Sequence, residues 1–106
     1  MKFIVVKNFT DVDFDSSSAP TLNLEVDRKD YSIVNFRGLY FCEVSNSLAG
    51  RSGQVKMEDV NYDDITMMVY DCLRPFLKEN ESYMILDNND TIRKFLSATK
   101  RYYSGI

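Results

Sequence analysis

The chemistry open to this chain is bounded first by a side chain it does not have. The sequence contains no histidine. That removes the usual general base near neutral pH and the commonest nitrogen ligand of zinc. Serine–histidine–aspartate and cysteine–histidine nucleophilic systems are thereby excluded. Asp and Glu together number 16, and a pair of carboxylates can act as acid and base. Most of them fall in loops and at helix starts, where capping and solvation account for them. We therefore expect no enzyme, no catalytic residue and no cofactor.

Three further constellations carry residue types that could bind a metal, a protein or a nucleic acid. In the loop Asp11-Val12-Asp13-Phe14-Asp15-Ser16, acids alternate as the first oxygen ligands of an EF-hand do. The match then fails, because position six is Ser16 instead of the turn glycine and position twelve is Leu22 instead of a closing glutamate. No metal site is expected. Alternating acids around an aromatic ring do suit a basic protein surface, so Asp11, Asp13, Phe14 and Asp15 are the candidate partner contacts. Gly50-Arg51-Ser52-Gly53 has the spacing of a Gly-x-x-Gly clamp on nucleic-acid backbone. Its flanks lack the helices such a clamp needs, and no Gly-Lys-Ser/Thr follows as in a phosphate-binding loop. It reads as a surface loop, with Arg51 as a second candidate contact. Arg93, Lys94, Lys100 and Arg101 lead into Tyr102-Tyr103, a mixture that can hold a single strand. On a helical wheel, however, Arg93 and Lys100 share one flank while Lys94 and Arg101 fall on the other.

These residues must be positioned by elements that the hydrophobic pattern makes visible. Lys2 to Phe9 reads as a first strand whose apolar centre, Phe3-Ile4-Val5-Val6, implies cover on both faces. Leu22, Leu24 and Val26 alternate with Asn23, Glu25 and Asp27, a half-buried strand. Tyr31–Phe36 and Leu39–Val44 flank Arg37-Gly38, a hairpin turn in which glycine supplies positive φ. Ser45 to Lys56 reads as a polar loop. Asn61 is the expected cap of a helix whose buried stripe is Ile65, Met68, Val69, Cys72, Leu73 and Phe76, and Pro75 ends or kinks it near Arg74. Tyr83-Met84-Ile85-Leu86 reads as a buried strand. Asp90 is the expected cap of a second helix carrying Ile92, Phe95, Leu96, Thr99 and Tyr103, with Gly105 as its stop.

The resulting order, β-β-β-β-α-β-α, predicts an α+β fold. We expect a mixed, largely antiparallel sheet of about five strands with two helices packed on one face, in a single domain over residues 1–106. Two short helices leave part of the other face open, and such a face is where a partner or a second copy docks. The apolar share of 44%, with Phe 7 and Tyr 7, is enough for a core, and the net charge is −3. Charge is lopsided: acids dominate before Asp30 and cations dominate the last stretch. No segment has the ~18–20 apolar residues that span a bilayer, and the short apolar run after Met1 is not a signal peptide. Cys42 and Cys72 are expected buried and reduced, in a cytoplasmic setting (host cytoplasm if the chain is phage-encoded).

The expected function is that of a small acidic protein-binding module, a non-enzymatic inhibitor or modulator of the phage-encoded or immunity-protein type. Its expected partner is another protein with a basic surface, and no membrane. The alternatives are nucleic-acid binding through the Gly50–Gly53 loop and the basic C-terminal helix, and self-assembly as a homodimer or structural protein.

Overall fold

The alternation of Leu22, Leu24 and Val26 sets the grain of the molecule: all three are buried, while Thr21, Asn23 and Glu25 between them are only half-buried. A computed structural model describes residues 1–10, 19–44 and 52–104. Its strands are β1 (Lys2–Thr10), β2 (Thr21–Val26), β3 (Lys29–Phe36), β4 (Leu39–Val44), β5 (Ser52–Lys56) and β6 (Tyr83–Leu86). A 3-10 turn at Met57–Asp59 leads to α1 (Thr66–Leu73). A second, at Arg74–Phe76, leads to β6, and α2 (Thr91–Tyr103) closes the order. The fold is α+β, a single mixed sheet in the order β5-β4-β3-β2-β1-β6. Every pairing is antiparallel except β1 with β6, which is parallel.

Both central hairpins have two-residue loops whose residues share positive φ, the backbone twist that matches a right-handed ribbon. Arg37 and Gly38 take φ of 55° and 85°, as the glycine predicts, and Asp27 and Arg28 adopt the same geometry without one, at 54° and 67°. The one strand beyond the five expected, β5, lies in the segment that reads as a loop from Ser45. Val55 is its one aliphatic residue packed against the core. Hydrophobic periodicity is therefore silent there, and pairing with β4 specifies the strand.

Both helices lie on one face. Met68, Val69, Cys72 and Leu73 of α1, and Ile92, Phe95, Leu96 and Thr99 of α2, are buried against Ile4, Leu22, Leu24, Ile33 and Tyr40 of the sheet. Phe95 meets Tyr40 edge-on at 5.7 Å. Each such large side chain contributes about 1.5–3 kcal/mol by leaving water. α1 also carries the chain from the β5 edge towards the β6 edge, where the Tyr70 hydroxyl donates to the Tyr83 carbonyl at 3.1 Å.

Two expected caps are placed differently. Asn61 accepts from the Asp63 N–H at 3.0 Å in a turn ahead of α1, which begins only at Thr66. Asp90 sits at the head of α2 in a left-handed conformation and its side chain caps nothing. The Asp87 carboxylate accepts instead from the N–H groups of Thr91 and Ile92, at 2.7 and 2.9 Å. Pro75 does end α1, within the 3-10 turn after Leu73. Cys42 and Cys72 are fully buried and unbridged. Among the described residues, no helix is long and apolar enough to cross a membrane.

Candidate functional site

With α1 and α2 on one side, no described helix covers the other side of the sheet, and its side chains follow from the register. One transverse row runs Leu86–Val5–Glu25–Asp30, and beside it Met84 lies opposite Phe3. The next row is Asn8–Asn23–Ser32–Glu43. Beyond that come Thr10–Thr21–Val34–Phe41 and the pairing of Phe36 with Leu39. Apolar side chains thus gather at two opposite corners, separated by polar rows.

The middle polar row is tied together from Asn8 to Ser32. The Asn23 amide donates to Asn8 Oδ1 at 2.7 Å, and the Ser32 hydroxyl donates to Asn23 Oδ1 at 3.3 Å. β1 carries a bulge between Val6 and Asn8, and Lys7 at that bulge reaches Asp30 at 3.5 Å. A bulge re-aims a side chain in this way by placing two residues opposite one.

The two corners differ. Around β3 and β4, Phe41 is buried and Val34 and Leu39 are half-buried, leaving Phe36 as the exposed ring. At the β1–β6 corner the apolar groups stand open: Phe3 and Met84 are each 46% exposed and Leu86 is 36% exposed. The corner corrects the expectations that β1 is covered on both faces and that β6 is a buried strand. β1 is internal to the sheet, yet only its Ile4 and Val6 side is covered. An apolar run on both faces of a strand marks burial or a sticky surface, and periodicity alone does not separate the two.

Acidic groups edge this corner. Glu25 stands next to Val5 in its row, and Asp27 is held by Lys2 at 3.0 Å. The Lys2 ammonium, through that hydrogen bond, keeps the Asp27 carboxyl below its ordinary value. Beyond Met84 and Leu86 lies the free flank of β6, the last strand of the sheet, which no other strand pairs among the described residues. An edge of that kind is a template for an added strand.

Asp11, Asp13, Phe14, Asp15 and Arg51 lie outside the described residues. β1 ends at Thr10 and β2 begins at Thr21, at the end of those strands away from Phe3. Gly53 belongs to strand β5, so the Gly-x-x-Gly spacing has no helix–turn–helix setting. The cations of α2 are divided: Arg93 pairs with Asp90 at 3.7 Å, and Lys100 lies 4.5 Å over the Tyr62 ring. Phe3, Met84 and Leu86 are not among the contacts expected from the sequence, although their apolar runs are plain there. Comparison with protein-family models, curated proteins and solved structures finds no match to this chain.

Proposed function

We propose that this domain is a non-catalytic protein-binding module that docks an extended segment of a partner protein at the β1–β6 corner of its open sheet face. The observation that carries the reading is the coincidence of an exposed apolar corner, Phe3, Met84 and Leu86, with an unpaired strand edge on β6. Main-chain pairing along such an edge supplies affinity, while alternate side chains of the added strand supply specificity. The fitting segment has apolar residues on one face and a lysine or arginine to meet Glu25 and Asp27. A net charge of −3 favours encounter with such a basic partner. The acidic loop from Asp11 to Asp15, with Arg51, is a second contact in this reading. Absence of histidine supports an inhibitor or modulator over an enzyme. Two buried free thiols support a reducing, cytoplasmic setting.

The test is photo-crosslinking from position 84, with position 94 on the helix face as control, followed by binding measurements with the purified captured protein. Met84→Asp and Leu86→Asp are expected to weaken that complex about tenfold or more, because the corner is exposed and central to the contact. Unchanged affinity in both variants removes the corner from the site. A concentration-dependent dimer in sedimentation, lost in Met84→Asp, replaces the partner protein with a second copy of this chain.

A further inference from the structure

Three cations that are distant in sequence meet at the far end of the β3–β4 hairpin. Arg37 is in the hairpin turn, Lys56 ends β5 and Lys100 lies in the last turns of α2; all three line one concavity of about 670 Å³. None has a carboxylate within ion-pair distance among the described residues. Glu58 also stands on the rim, which leaves three positive charges against one negative in a chain whose net charge is −3. Leu39 and Met57, both half-buried, and Tyr62 give the concavity an apolar wall.

The walls are held in place by strand pairing and hydrogen bonds. Leu39 pairs with Lys56 across β4 and β5, and the Met57 N–H donates to the Gly38 carbonyl at 2.8 Å. The Gly38 N–H donates to Asn35 Oδ1 at 3.0 Å, fixing the turn that carries Arg37. The Tyr103 hydroxyl donates to the Asn35 carbonyl at 2.7 Å and pins the end of α2, with Lys100, against the hairpin. Like charges gathered on a fixed frame repel unless an anion sits among them.

We infer that this concavity is a binding site for a small organic phosphate, its phosphate among Arg37, Lys56 and Lys100 and its carbon skeleton against Leu39, Met57 and Tyr62. The volume falls within the ~300–1,000 Å³ of small-ligand sites. Guanidinium and ammonium donors together suit phosphate oxygens, the first as a planar fork and the second as a point charge. A nucleic-acid strand fits less well, because among the described residues the cations ring a hollow and do not continue as a track. Arg93, which shares a flank of α2 with Lys100, is tied to Asp90.

The experiment is an amide chemical-shift titration of the full chain at low salt with ATP, with inorganic phosphate and with a short single-stranded oligonucleotide. ATP is expected to shift residues 37–39, 56–58, 62 and 100, and to bind more tightly than inorganic phosphate. Lys56→Ala and Lys100→Ala, both at exposed positions, are each expected to weaken ATP about tenfold, with Lys94→Ala unchanged. No shifts at millimolar ATP, or equal affinity in all three variants, overturns the site. Inorganic phosphate binding as tightly as ATP overturns the organic part. An oligonucleotide that outcompetes ATP and is lost in the same variants overturns the small ligand in favour of a strand.

Discussion

Asp87 and Asp90 have the same chemistry and both stand before α2, yet they do different work. Two N–H groups at the head of a helix need acceptors, and a carboxylate that takes both is worth more than one near the helix dipole alone. Asp87 takes both, whereas Asp90 has φ of 56° and only an exposed contact with Arg93. Asp87→Ala is expected to lower stability by about 1–2 kcal/mol in chemical denaturation. Asp90→Gly is expected to be neutral or stabilising, since glycine takes the left-handed region freely and an exposed ion pair is worth less than ~1 kcal/mol. Equal losses in the two variants contradict this division. The sequence showed that an acid caps this helix; it could not show which one, because the deciding quantity is a backbone angle set by the end of β6.

At the scale of elements, what was legible tracks what apolar spacing can encode. The alternating β2 and the stripe of α2 were plain, because each buries one face. β5 was not, since its pairing comes from a neighbouring strand and not from its own side chains. The β2–β3 turn was hidden for a related reason: Asp27-Arg28 lacks the glycine that advertises such a turn, and Arg28 holds φ of 67°. A side chain in that region costs about 1–2 kcal/mol, while glycine loses about 0.5–1 kcal/mol through its freer unfolded chain. Arg28→Gly, which creates the favoured Asp-Gly pair, is therefore expected to raise stability by about 0.5–1 kcal/mol. Arg28→Val is expected to lower it, since a β-branched residue tolerates positive φ poorly. Denaturant midpoints read both, and a destabilised Arg28→Gly contradicts the turn geometry.

At the scale of the molecule, helices on one face only divide the chain into a dry side and a wet one, and titration exposes the dry side. Burial pushes the Tyr40 phenol and the Cys42 thiol each up to about 12, and raises Cys72 as well. The unfolded chain releases these protons from their ordinary values of 9.0 and 10.0 upward. Above those values the unfolded state binds fewer protons than the folded one, so stability falls as pH rises. The contribution is complete below about pH 9 and lost by about pH 12. Denaturant midpoints are expected to fall steadily across that window, less steeply in Cys42→Ala; a flat profile contradicts the burial. The same one-sidedness explains what the candidate site withheld: the runs in β1 and β6 announced apolar strands, but only the number and placement of helices decided which side stayed open. The parallel ladder between these strands has a consequence for how the chain assembles. Lys2 lies opposite Tyr83 and Val5 opposite Leu86, so this seam closes over a loop that takes in every other strand and α1. The antiparallel hairpins close over short loops, whereas this seam must meet the entropy of a long one. During synthesis β1 waits for β6 to emerge, and its Phe3 flank is at its stickiest in that interval.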